Sequence, residues 1–244
     1  SLSFDYARKV QRPRYEDLNP FRTYINERTF EEGNPNLTPS FSHNLNLNYT
    51  LNQEYFFDFY YRDNGMYIST LTFQDNDNFV LRDITQNVLE STSYGFDFTY
   101  GKSITNNWYL YSYISIFHED ESFIALQSDE YSYKNSFNGA YVDLTNYITL
   151  SKDGSFKGEL GFTYLSGFLQ GSFIQEESTN LTVGLRKSFL KNRVVLSISA
   201  NDLLNKSNAF VSSKYLNQDN GYLTVPETQY VKFGLKTTNV ILKK

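Results

Sequence analysis

The chain has two histidines, His43 and His118, and only His118 has acids beside it, in the run His118-Glu119-Asp120. Hydrolytic chemistry needs a base, a nucleophile or a second acid converging within hydrogen-bond reach. Neighbouring residues on a strand point to opposite faces, so this run reads as the solvated end of a strand. A second cluster, Asp75-Asn76-Asp77-Asn78, offers oxygen ligands of the kind calcium takes. It lacks the ligand series and closing glutamate of an EF-hand loop, so it reads as a hairpin tip, with no metal site expected. With no cysteine there is no thiolate ligand or nucleophile. No GxGxxG or GxxxxGKS/T string occurs to cradle a nucleotide. No enzymatic activity and no cofactor are expected. The residues best suited to meet a ligand are the aromatics of segment 11–40, Tyr15, Phe21, Tyr24 and Phe30, which could stack on a sugar, pack on a peptide or fold the segment back on itself.

Those residues must be held by a scaffold, and the composition restricts which one. Among 244 residues there are 21 Tyr and 21 Phe, yet mean hydropathy is -0.50 and only 20% of residues are charged. The remaining polarity is neutral Asn, Ser and Thr. This fits sheets with one aromatic face and one neutral polar face better than a core wrapped in lysine and glutamate. A net charge of -5 argues against nucleic acid as a partner. No run of 18 apolar residues exists, so a transmembrane helix is not expected, while a strand barrel is open. Ser1 leads directly into an alternating stretch, so no signal peptide is read; an exported chain implies a mature or longer product.

Period-2 alternation recurs through most of the chain. In 44–51, Leu45, Leu47, Tyr49 and Leu51 face one way and Asn44, Asn46, Asn48 and Thr50 the other. Ten strands are expected, at 2–10, 41–51, 54–74, 79–102, 107–118, 133–150, 155–166, 174–189, 193–202 and 227–238. Tight turns at Asn52-Gln53, Thr105-Asn106, Ser151 to Gly154 and Lys191-Asn192 alternate with excursions at 11–40, 65–90, 119–132, 167–173 and 203–226. Short turns on one side and long loops on the other is the asymmetry of an antiparallel, up-and-down outer-membrane β-barrel. Strands 54–74 and 79–102 exceed the roughly 9 to 11 residues that cross a bilayer, so their distal halves are expected to stand above it as one continuous β-ribbon. Aromatics beside the tight turns, among them Tyr55, Tyr100, Trp108, Phe156 and Phe189, suit an interfacial girdle.

A resemblance adds to this reading. The string Gly33-Asn34-Pro35-Asn36-Leu37-Thr38-Pro39 resembles the GNPxLxP segment that opens a barrel strand in TonB-dependent outer-membrane receptors, and Gln11 to Phe21 resembles the loop before it in the Bacteroidetes branch. Asn201-Asp202-Leu203-Leu204-Asn205-Lys206 resembles the family's NLFNK-like stretch near its penultimate strand. The resemblance implies that the chain is the C-terminal part, about ten strands, of a 22-stranded barrel, without the plug domain and TonB box. It implies an outer-membrane receptor component for uptake of an extracellular nutrient in a Gram-negative bacterium, reaching the TonB system only through the missing N-terminal part. The tail Thr237 to Lys244, with no terminal aromatic, departs from the family's usual ending. The alternative is a complete small barrel acting as a structural or adhesive surface protein. Lipid is the expected environment, and unpaired strand edges would invite an edge-to-edge homodimer. Physically, Pro35 and Pro39 stiffen the lead-in to the second strand.

Overall fold

Alternating side chains need a sheet that separates two environments, and the chain builds one. A computed structural model describes residues 1–125 and 131–237. Ten strands form one antiparallel sheet. In sheet order they are β1 (Leu2–Gln11), β4 (Ser40–Leu51), β5 (Tyr55–Asp63), β8 (Glu90–Thr105), β9 (Trp108–Ile124), β10 (Ser132–Thr149), β11 (Phe156–Leu165), β14 (Ser178–Phe189), β15 (Val194–Asn201) and β18 (Tyr230–Thr237). Every neighbour in this sheet is also the next member along the chain, which is up-and-down order. The sheet is open: its ends are β1 and β18, which do not pair with each other.

Register aligns the apolar residues across the strands. Phe4 pairs Leu47, Leu47 pairs Phe59, Phe59 pairs Phe96, and Phe96 pairs Ile116. Rings meet along this face, Phe59 and Phe96 with centroids 4.8 Å apart and Phe57 and Phe98 5.2 Å apart. Yet the face is not covered by protein: Phe4 is 66%, Ile116 59% and Phe233 76% exposed. An apolar face continuous over ten strands has no stable place in water, whereas a bilayer solvates it. The opposite face carries Asn46, Tyr60, Gly95 and Phe117 in one row. A Cβ on Gly95 would stand 2.6 Å from the Tyr60 ring and 2.7 Å from the Ile116 carbonyl oxygen, and the backbone contact leaves room only for glycine.

The tight turns have the backbone that hairpins demand. Asn52 and Gln53 are both left-handed, with φ of 53° and 57°, as a two-residue type I′ turn requires. Gly154 at φ 70°, and Leu190, Lys191 and Asn192 at 51°, 55° and 66°, supply left-handed residues in the longer turns 150–155 and 190–193. The second turn falls at Asn106-Asn107, one residue later than expected, because β8 runs on to Thr105.

The long excursions are not bare loops. One four-stranded sheet has β2 (Thr23–Asn26), β3 (Thr29–Glu32), β7 (Val80–Asn87) and β6 (Ile68–Asp75) in that order, with β3 and β7 parallel. The other joins β12 (Phe168–Gln170), β13 (Phe173–Gln175), β16 (Phe210–Tyr215) and β17 (Gln218–Leu223). The expected ribbon forms, β6 and β7 pairing antiparallel, but its continuity with the large sheet is corrected. The run 54–74 breaks after Asp63, where Gly65 turns at φ 54°, and 79–102 breaks between Asn87 and Glu90, so β6 and β7 leave the large sheet for their own. Asn87 holds the break, its amide nitrogen donating to the carbonyls of Thr38 and Met66. The expected loop 119–132 is shorter than read, since β9 extends to Ile124 and β10 starts at Ser132. Residues 126–130, and the tail from 238 onward, lie outside the described residues.

Candidate ligand site

The excursions gather into a cap at the long-loop end of the large sheet, and a hydrophobic cluster holds it together. Leu71, Phe73, Ile84, Val88, Phe123, Ala125 and Tyr215 pack there, with Tyr67 and Tyr133 against them. The Phe123 and Tyr215 rings meet edge to face at 5.1 Å. Polar bonds join the same parts. Tyr215 donates its hydroxyl to the Thr72 carbonyl at 3.3 Å, and the Gln218 side chain accepts from the Gln74 backbone N–H and donates to its carbonyl. Asn76 donates to the Asn217 carbonyl at 3.0 Å. Two hairpin tips some 140 residues apart in sequence are thus locked together.

A strap fixes the N-terminal excursion to this cap, and the motif 33–39 is that strap. The backbone N–H of Gly33 donates to the Asn19 carbonyl at 2.9 Å and that of Asn34 to the Asp17 carbonyl at 2.6 Å. A Cβ on Gly33 would stand 2.6 Å from the Asn19 oxygen, so no larger residue fits. Asn34 Oδ1 accepts from the Asn36 N–H, Leu37 is buried, and Thr38 N–H donates to Asn87 Oδ1 at 2.9 Å. The second motif is a clamp at the far end of β15. Asp202, fully buried with φ 49°, accepts from the N–H groups of Lys206 and Ser207 and from the Thr228 hydroxyl, while its carbonyl accepts from Asn205 N–H and the Gln229 amide. Asn201 donates to the Thr228 carbonyl, and Leu203 N–H donates to the Leu181 carbonyl, tying the turn to β14 and the approach to β18.

Above the first ten residues of β9, a buried acid lies between sheet and cap. Glu121 accepts a short hydrogen bond from the Tyr67 hydroxyl on Oε1, while its buried Oε2 has no hydrogen-bond partner among the described residues. Burial raises the Glu121 carboxyl from 4.5 to about 7, with Glu119 adding repulsion and the Tyr67 bond opposing both. Folding therefore strengthens proton binding. The contribution is fully favourable below about pH 4.5 and is lost as pH rises through about 7, at a cost on the order of 3 kcal/mol. We expect protection factors in segment 67–88, taken as the intrinsic amide exchange rate over the observed rate at each pH, to be higher at pH 5 than at pH 8. In Glu121→Gln, whose amide oxygen still accepts from Tyr67, that difference should vanish, with the variant as protected at pH 8 as the parent is at pH 5. A pH difference persisting unchanged in Glu121→Gln would exclude this carboxyl as its source.

Beneath the cap lies a cavity of about 560 Å³ walled by five separate stretches of chain, including Gln11 and Arg14, Tyr67 to Thr70 with Thr72, Asp83 and Thr85, Leu169 and Gln170, and Asn220 to Tyr222. A second cavity of about 420 Å³ shares Arg14, Asp17, Thr70, Asp83 and Thr85 with it. Arg14 is engaged: Nε and Nη2 donate to Asp17 at 2.9 and 2.8 Å, and Nη1 sits 2.6 Å from Glu16. This pairing holds the Asp17 carboxyl below its ordinary range. Asp83 accepts from the Thr72 hydroxyl, and burial pushes its carboxyl up.

The aromatics expected from the sequence are not gathered at this cavity. Tyr15 is 94% exposed, and Phe21 is also exposed but borders the smaller cavity. Tyr24 packs on Phe30 at 5.6 Å, and Phe30 is buried under the Arg22 guanidinium. His118 meets Asn138 at 2.8 Å through Nδ1, with Asp120 3.4 Å from Nε2, while Glu119 turns to the other face and accepts from Leu169 N–H. In the 75–78 tip the Asp75 carboxylate is occupied by the backbone N–H groups of Asp77 and Asn78 and by the Asn78 amide. No cluster of three metal-ligating side chains occurs among the described residues. What sequence reading missed is the cavity wall itself, because its members are ordinary Thr, Gln and Asn residues with no local pattern.

Comparison with known proteins agrees with the architecture. Residues 1–236 match the outer membrane protein beta-barrel family. Among solved structures, the chain is similar to the siderophore receptor PirA from Pseudomonas aeruginosa, with a TM-score of 0.57 and 12% identity over 84% of this chain and 36% of that one. It is also similar to a mutant of the ferric enterobactin receptor PfeA from Pseudomonas aeruginosa, with a TM-score of 0.52 and 13% identity over 84% of this chain and 32% of that one. At such identity the likeness concerns the fold, and the chain spans about a third of each receptor. No curated protein matches it.

Proposed function

We propose, from the premise that this chain belongs to the outer membrane protein β-barrel family and resides in the Gram-negative outer membrane, that it is the ligand-capping C-terminal wall of a larger nutrient receptor. On this reading its ten strands are contiguous members of a barrel of the TonB-dependent, Bacteroidetes type, of about 22 strands. The plug and the TonB contact belong to chain outside these residues. The cap recognises an extracellular nutrient, and the chain contributes binding rather than catalysis.

One observation carries the proposal: β1 and β18 each have one edge with no partner strand among the described residues. In lipid an unsatisfied backbone group costs several kcal/mol, so open edges do not occur there. Each edge therefore needs a further strand, which a longer barrel supplies.

The test uses the native gene product in detergent. Amide exchange along β1 and β18 should be as slow as in β9, and no disulfide should form between cysteines at position 4 or 6 and cysteines at 233 or 235. A cross-link in any of these pairs would mean that the ten strands close on themselves, as in a small adhesive barrel. Fast exchange at both edges would mean that no strand covers them, and a dimer held through the edges would show as doubled mass.

A further inference from the structure

We propose that the cavity beneath the cap takes an uncharged, hydroxyl-rich ligand of the oligosaccharide class, an inference that rests on the receptor reading and adds the ligand chemistry to it. Size permits this. At about 560 Å³ the cavity is within the range of roughly 300 to 1,000 Å³ usual for small-molecule sites, and the adjoining space of about 420 Å³ gives a chain-like ligand room to extend.

Charge argues against an anion. Among the described residues Arg14 is the one basic side chain in either wall, and it is already bound to Asp17 and Glu16. A phosphate or a carboxylate-bearing ligand would meet no free positive charge and would face Asp83. The rest of the larger cavity offers neutral hydrogen-bonding groups, with Gln11, Thr70, Thr85, Gln170 and Asn220 supplying both donors and acceptors. Asn220 stands in this wall with its amide nitrogen lacking a partner among the described residues, a donor whose burial is costly until something accepts from it. Asp83 forms no ion pair among the described residues, and beyond the Thr72 hydroxyl its carboxylate is available to accept from a ligand hydroxyl.

An apolar surface completes the set. Tyr222 and Phe173 border the cavity with rings packed edge to face at 5.9 Å, and Tyr222 is 54% exposed, leaving ring surface for the C–H face of a sugar. A ligand with hydroxyls around an aliphatic ring matches this mixture of neutral polar groups and aromatic surface.

The experiment is saturation-transfer NMR on the native gene product in detergent, with an equimolar mixture of maltotriose, cellotriose, trilysine and citrate. Saturation should reach a trisaccharide alone. Its affinity should fall about tenfold in both Tyr222→Ala and Gln170→Ala, the loss of one hydrogen bond or ring contact. Both side chains are at the surface of the cap, and unchanged amide exchange in β6 and β7 shows that the variants fold. Saturation of trilysine would make Asp83 a cation site and overturn the proposal. Saturation of citrate, saturation of no ligand, or trisaccharide binding indifferent to both variants would overturn it too. The outcome is separable from the receptor reading: covered edges at β1 and β18 with trilysine bound refute only the ligand class, and a closed ten-stranded barrel that binds the trisaccharide refutes only the receptor.

Discussion

Replacing Phe123 with alanine is expected to unfasten the cap while leaving the large sheet intact. Phe123 is fully buried and its ring touches both Tyr133 and Tyr215, so it joins the upper part of β9 and β10 to β16. Truncating a buried phenylalanine costs about 3 to 5 kcal/mol, the lost transfer energy plus the cavity left behind. The loss is local, because lower pairs such as Trp108 with Ile148 share no contact with the cluster. Amide exchange should rise sharply in β6, β7, β16 and β17 and stay unchanged over residues 108–116. The control is Phe21→Ala, an exposed side chain whose removal should change stability by no more than about 0.5 kcal/mol. Equal acceleration in both sheets would mean that cap and wall unfold as one unit.

The second large effect concerns which face meets lipid. Leu47 lies in the apolar row between Phe4 and Phe59, and Asn46 lies on the opposite face between Asp5 and Tyr60. An arginine on the lipid face near the bilayer midplane costs about 2 to 4 kcal/mol, whereas lumen substitutions are tolerated. Leu47→Arg should therefore lower the unfolding free energy read from a denaturant titration in lipid vesicles by that amount, and Asn46→Arg should leave it nearly unchanged. Equal penalties at the two neighbours would remove the distinction between the faces.

Much of the wall was legible in the sequence because a strand's period of two is written residue by residue. The run from Asn44 to Leu51 states both faces, and the turn at Asn52-Gln53 fixes its register with β5. The cap was far less legible. The stretch Met66 to Gln74 has spacing compatible with continuing the preceding strand, and nothing local says that β6 belongs to a different sheet. That decision is made by Gly65 and by Asn87, which reaches across to Thr38 and Met66. The motif at 33–39 was readable as a stiff segment, but its partners at Asp17, Asn19 and Asn87 were not. Aromatic content in segment 11–40 marked Tyr24 and Phe30, which pack on each other instead of lining the cavity. The cavity wall joins Gln11, Thr70, Gln170 and Asn220, residues that only the folded chain brings together.

The most direct test of the central claim, a sheet with one face in lipid and the other in a water-filled interior, is a nitroxide scan of positions 44 to 51 in vesicles. The chain has no cysteine, so each introduced cysteine carries the only label. Collision with oxygen, which concentrates in lipid, should peak at 45, 47 and 49, and collision with a water-soluble nickel chelate should peak at 44, 46 and 48. If 45, 47 and 49 proved as accessible to the nickel chelate as their neighbours, or sheltered from both reagents as in an ordinary soluble core, the account would be wrong.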